Sequence, residues 1–97
     1  MNISDIRNLE NKKLLITEAI TRSNTVSKRS KINNQFLDLK TIIYERSDCV
    51  FFENVEYNDI IYRPSIYIND EDQKIDLHPA LDMRKKSICI VNYVHQS

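Results

Sequence analysis

Apolar residues in the first half of the chain recur at helical intervals, and in the second half at strand intervals. Ser4 and Asp5 supply a capping hydroxyl and a first-turn carboxylate. Beyond them Ile6, Leu9, Ile16 and Ile20 share one face of a 3.6-residue wheel, with Leu15 and Ala19 widening it and Leu14 outside it. The pattern predicts a helix over about 4–22. Residues 23–30 (SNTVSKRS) lose the period and read as a connector, with Ser27 or Ser30 placed to cap a second helix. That helix, over about 30–46, carries a face of Ile32, Phe36, Leu39, Ile42 and Ile43. Leu37 and Tyr44 lie away from this face, as a second packing edge or an exposed patch for a partner.

From Cys49 the period becomes two, and strands are predicted over about 49–57, 60–68, 74–78 and 87–94. Asn58-Asp59 fits a two-residue hairpin turn in a chain without glycine. Pro64 interrupts the second of these strands, which predicts an edge strand, a bulge or a split. Residues 69–73 read as an acidic turn, and 79–86 as a short helical segment opened by Pro79 and closed by Arg84, Lys85 and Lys86. The last strand is apolar on both faces, which predicts a central position. The expected fold class is α+β. One domain over 1–97 would hold an N-terminal helical hairpin followed by a three- to four-stranded, mostly antiparallel sheet.

Composition narrows the function more than it names it. With 97 residues, 41% hydrophobic and 29% charged, the chain has material for one modest core. It contains no glycine, so a Gly-rich phosphate cradle is excluded, and with it nucleotide enzymes of the P-loop and dinucleotide-fold kinds. Any left-handed turn must then use Asn or Asp. Cys49 and Cys89 sit in separate apolar runs and are expected as reduced, buried thiols. The opening Met-Asn-Ile-Ser-Asp lacks the apolar core of a secretory signal, and no apolar run approaches a membrane span, so a cytoplasmic location without membrane attachment is expected.

Charge is distributed unevenly although Lys+Arg and Asp+Glu balance at 14 each. No acidic residue lies between Glu18 and Asp38, a stretch that holds Arg22, Lys28, Arg29 and Lys31 among serines and asparagines. These four could meet phosphate oxygens or an acidic protein surface, or could simply solvate a connector. From Glu45 to Asp76 nine carboxylates face three basic side chains, so the chain is electrically polarised in a way that favours oriented docking. Asp70, Glu71, Asp72 and Asp76 lack the spacing of a calcium loop and read as a hairpin tip. His78, His95 and the cysteines show no zinc spacing, and Cys89 falls where a thiol is inert. No cofactor, metal or catalytic residue is therefore assigned. Tyr57, Tyr62, Tyr67 and Tyr93 read as core and interface anchors, because their strands carry mainly acidic residues where a base-stacking sheet would carry Lys and Arg.

The sequence thus points to a small non-enzymatic binding protein, an inhibitor or regulator occupying a surface of a larger protein or complex. The size and composition suit one encoded by a phage or mobile element. Arg22, Lys28, Arg29, Lys31, Leu37 and Tyr44 are its candidate partner-binding residues. Self-association could use the Pro64 strand or the Leu37/Tyr44 patch. The competing class is a nucleic-acid-binding regulator working through the basic connector. In element order alone the predicted layout resembles the small ribonuclease and gyrase toxins of bacterial toxin–antitoxin pairs, which makes a toxin-like nuclease the third class. Those toxins begin with a strand and are basic, and no residue is carried over from them.

Overall fold

The computed structural model describes the backbone of residues 2–23, 26–57, 59–71, 74–80 and 87–95, and the side chains of 2–20, 35–57, 59–71 and 74–80. Strand takes 61% of the chain. The elements run α1 (Ile3–Arg7), β1 (Lys12–Ser23), β2 (Val26–Leu39), β3 (Ile42–Glu45), β4 (Cys49–Phe52), β5 (Val55–Tyr57), β6 (Ile60–Tyr67), β7 (Ile75–Pro79) and β8 (Ser87–His95). The expected α+β fold with a helical hairpin is wrong. Both proposed helices are replaced by strands, except for the single turn and a half of α1.

The physical reason lies in one bulge and in side-chain type. In β1 the buried residues are Leu14, Ile16 and Ala19. The register slips between Ile16 and Glu18, so a spacing of two becomes a spacing of three, which imitates a helical period. The same segment carries Ile16, Thr17, Ile20 and Thr21, whose branching at Cβ favours a pleated backbone. In β2 and β3 the predicted helical face is divided: Leu39 is buried, whereas Phe36 and Ile43 are exposed. The true signal was the alternation Leu37-Asp38-Leu39, with both leucines inside and Asp38 in solvent.

Helix α1 starts at Asn2 instead of Ser4. The Asn2 side chain accepts from the Asp5 N–H, and the Asp5 carboxylate accepts from the Asn2 N–H, a reciprocal capping box. The chain then turns away at Asn11, whose φ of 58° is left-handed. Asp59 takes φ 63° in the link between Tyr57 and Ile60, which are paired. Asn and Asp thus fill the positions glycine would normally take.

All seven ladders are antiparallel, and the strand order is β2-β1-β8-β7-β6-β4-β3, with β5 also on β6. The two ends of this path, β2 and β3, are consecutive in sequence and separated only by Lys40 and Thr41. The Lys40 carbonyl accepts from Asn11 N–H on the β1 side at 3.2 Å, and the Thr41 carbonyl accepts from Glu53 N–H on the β4 side at 2.9 Å. Successive carbonyls of one extended segment therefore bond opposite neighbours, and the sheet closes into an up-and-down barrel. Ile42 N–H lies past the end of β1 and would be orphaned; the Glu10 carboxylate accepts it at 2.9 Å. Higher up the seam no ladder joins β2 to β5 among the described residues, and Tyr57 Oη donates to Gln35 Oε1 at 2.8 Å.

One core cluster fills the barrel, drawn from every strand between β1 and β7 except β3, with Ile6 and Leu9 from the N-terminal segment closing one end. The Pro64 expectation also needs correction. Its strand β6 is central, flanked by β7 on one edge and by β4 and β5 on the other. The break lies in the neighbour, at Glu53 and Asn54 between β4 and β5, opposite the stretch that holds the proline. No ladder bond is required of β6 at that point on that edge. The helical segment proposed over 79–86 falls mostly outside the described residues; Pro79 itself ends β7. The 69–73 turn is a turn at Ile68 and Asn69, and its last two residues lie outside the description.

Among the described residues no helix is long and apolar enough to cross a membrane. The barrel is apolar within, and its outward positions include Lys13, Asp38, Glu56 and Arg63, the reverse of the polarity of a lipid-facing barrel. Because Ile6 seals one end of the core, Ile6→Ala is expected to cost about 2–4 kcal/mol in urea unfolding. Ile61→Ala, at a site 43% exposed, should cost under about 0.5 kcal/mol by the same measurement.

Candidate functional site

The outer face of β3, β4 and β6 carries the most distinctive surface chemistry of the described residues. Strand β3 is short and its outward residues are large: Ile43 is 53% exposed and Tyr44 59%. The β3–β4 register sets Tyr44 opposite Phe51, and their rings lie 6.0 Å apart, tilted by 40°. This spacing is within the attractive range for aromatic pairs. Arg46, just past the end of β3, places its guanidinium carbon 6.0 Å from the Phe51 ring centre, a cation–π distance. Its Nε also lies 3.4 Å from an Asp48 oxygen. Arg63 reaches the same face from β6, where its Nε donates to Asn54 Oδ1 at 3.3 Å.

Ile43, Tyr44, Arg46, Phe51 and Arg63 together line a shallow groove of about 360 Å³. Two π-faces and two guanidinium groups around an open hollow suit the capture of an anionic, partly apolar surface. The polar groups at the groove are the two guanidinium groups and the Tyr44 hydroxyl.

Around the rim of the barrel lies a second hollow of about 390 Å³, lined by Asp48, Tyr67, Asn69, Asp70, Lys74 and Asp76. Lys74 Nζ is 3.9 Å from Asp70 Oδ2. No cluster of His, Cys, Asp and Glu among the described residues is arranged to hold a metal ion. The Arg46–Asp48 pair spans the boundary between the two hollows, so they are parts of one continuous face.

The residues chosen from the sequence are not one site. Tyr44 lies at the centre of the aromatic groove, but on a strand. Leu37 is 2% exposed and belongs to the core, so the proposed Leu37/Tyr44 patch does not exist. Arg22, Lys28, Arg29 and Lys31 lie on β1 and β2, not in a connector. There Arg22 is registered with Ser27, Lys28 with Thr21, Arg29 with Ile20 and Lys31 with Glu18. Their side chains fall outside the described residues. Ile43, Arg46, Phe51 and Arg63 were missed. Arg63 is the one basic residue on the strands predicted over 49–57 and 60–68, but only the fold shows that it shares a face with Tyr44.

Cys49 is 1% exposed. Burial pushes its thiol above the ordinary 9.0, against a smaller opposing effect of the Ser65 hydroxyl, so it is protonated and unreactive at neutral pH. Burial likewise raises the Tyr62 phenol above 10.0. The unfolded chain surrenders both protons at lower pH than the native one. Stability should therefore be flat with respect to these groups below pH 9.0 and fall as pH climbs past it. Urea unfolding of the wild type and Cys49→Ala at pH 8 and pH 10 checks this. The wild type should lose more stability between the two pH values than the variant does.

Comparison with known proteins returns no match among family models, curated proteins or solved structures.

Proposed function

We propose that this chain is a non-enzymatic binding protein, an inhibitor or regulator that docks on a larger protein through the outer face of β3, β4 and β6. The observation that carries this reading is the juxtaposition of exposed Tyr44 and Ile43 with Phe51, Arg46 and Arg63 around one groove. Tyr and Arg are the side chains most enriched among residues that dominate interface energies, and desolvating such a cluster concentrates binding energy in few positions. Leaving large apolar side chains in water at adjacent positions gains nothing for the fold, so a covering partner supplies the reason for them. The reduced, buried Cys49 suits a cytoplasmic location.

A second reading, a nucleic-acid-binding regulator, is favoured by one feature. The register gathers Arg22, Lys28, Arg29 and Lys31 in the part of the β1–β2 hairpin from the Glu18–Lys31 pair onward, a local concentration of basic residues suited to a phosphate backbone. The element order that resembled those toxins is replaced by a barrel, so a nuclease reading no longer has that resemblance behind it.

The test is affinity capture of the tagged protein at low salt, with and without nuclease treatment, beside two variants. Under the leading reading, a stoichiometric protein partner survives nuclease. Tyr44→Ala then weakens its binding by at least about 30-fold, the loss of an interface hot spot of about 2 kcal/mol. Changing Lys28, Arg29 and Lys31 together to Ala leaves that affinity within a few-fold. Nucleic acid that co-purifies with the wild type, and is lost from the triple variant alone, would overturn the leading reading in favour of the second.

A further inference from the structure

The two hollows on the candidate face are opposite in charge and adjoin each other. One presents the guanidinium groups of Arg46 and Arg63 beside Tyr44 and Phe51. The other presents the carboxylates of Asp48, Asp70 and Asp76 with a single ammonium, Lys74, beside Tyr67. Arg46 and Asp48 meet at the boundary. Cys49 and Tyr67 are registered across β4 and β6 two positions from the Phe51–Ser65 pair, so Phe51 and Tyr67 are near neighbours on the outer surface.

A face with a basic half and an acidic half of similar size, joined through an aromatic centre, is complementary to itself after a two-fold rotation. A closed dimer needs this property: a patch whose element i meets element j of the other copy, while j meets i. We propose that a second copy of this chain occupies the face, the arginine groove of each protomer lying against the acidic hollow of the other, with Tyr44, Phe51 and Tyr67 covered between them. The proposal rests on the reading of this face as the docking surface and adds its regulation. Two copies mask each other's groove, and a partner takes it by displacing a protomer.

The chemistry supports a reversible dimer over a permanent one. Arg46 and Asp48 at the middle of the face have side chains 52% and 51% exposed, so salt should loosen their contribution, while Asp70 is 17% exposed and is screened less. The partner interface then competes against only a modest free energy, and the chain concentration sets how much of the protein is available.

Sedimentation equilibrium over about 1 µM to 1 mM tests this, on the wild type and two charge-reversal variants whose folding is checked by thermal melting. The wild type is expected to pass from a mass of 11.5 kDa to twice that value within this range, and to shift back toward monomer at about 0.5 M salt. Arg46→Glu with Arg63→Glu should stay monomeric, and so should Asp48→Arg with Asp70→Arg. Mixing these two variants should restore a dimer between them.

A wild type that stays monomeric to 1 mM overturns the proposal, as does a dimer that persists in both variants. Two monomeric variants that remain monomeric when mixed overturn it as well, because reversed charges then fail to complement. The partner reading fails separately. A monomeric wild type whose captured partner is still lost on Tyr44→Ala removes the self-masking alone, whereas capture indifferent to Tyr44→Ala removes the partner reading and leaves the dimer standing.

Discussion

The bend at Lys40 and Thr41 is the constraint on which the rest of the structure depends. There a single extended segment exchanges one hydrogen-bonding neighbour for another, with the Lys40 carbonyl turned to the β1 side and the Thr41 carbonyl to the β4 side. Without it β2 and β3 would be the two free edges of an open sheet, each with a row of unpaired donors and acceptors. With it the sheet closes and inward side chains from β1, β2, β4, β5, β6 and β7 meet in one core. The N-terminal segment guards this bend. Glu10 takes the Ile42 N–H, and Arg7 donates from Nε and Nη2 to the two oxygens of Glu45, each at 3.1 Å. The Arg7–Glu45 pair is well exposed and its own contribution is small; the capped amide and the burial of Ile6 matter more.

The pairing of β3, β4 and β6 sets the binding face. Because β3 continues from β2 across the seam, it is short, and its residues past the end of β1 turn outward where the barrel cannot cover them. Tyr44 and Ile43 are consequently left in solvent, while Phe51 and Arg63 reach them from the adjoining strands. The break between β4 and β5 contributes too, since it frees Asn54 to hold the Arg63 guanidinium. Among the described residues the architecture thus yields an apolar interior and an outer face rich in rings and guanidinium groups.

How much of this was legible in the sequence differs between the two halves of the chain. From Cys49 onward, alternation of apolar and polar residues points to strands close to those observed, and the Asn58-Asp59 link has a left-handed Asp59 as a glycine-free chain requires. Before Cys49 the reading failed, because a bulge between Ile16 and Glu18 converts a strand's spacing into a helix's, and because Phe36 and Ile43 look like core residues while lying outside. Branching at Ile16, Thr17, Ile20 and Thr21 favours a strand, against the helical spacing of the same segment. The site was less legible than the fold. Tyr44 was chosen on a helix that does not exist, and its neighbours Arg46, Phe51 and Arg63 come from the β3–β4 hairpin and from β6, which strand pairing sets side by side.

Native-state hydrogen exchange at the seam tests the closure most directly. The amides of Ile42 and Glu53 should exchange about as slowly as those of Ile66 in β6 and Leu77 in β7, because opening the seam requires opening the core. If Ile42 and Glu53 instead exchange orders of magnitude faster than Ile66 and Leu77, the sheet is open between β2 and β4. The barrel would then be wrong, while the β3–β4–β6 face, held by its own ladders, would remain.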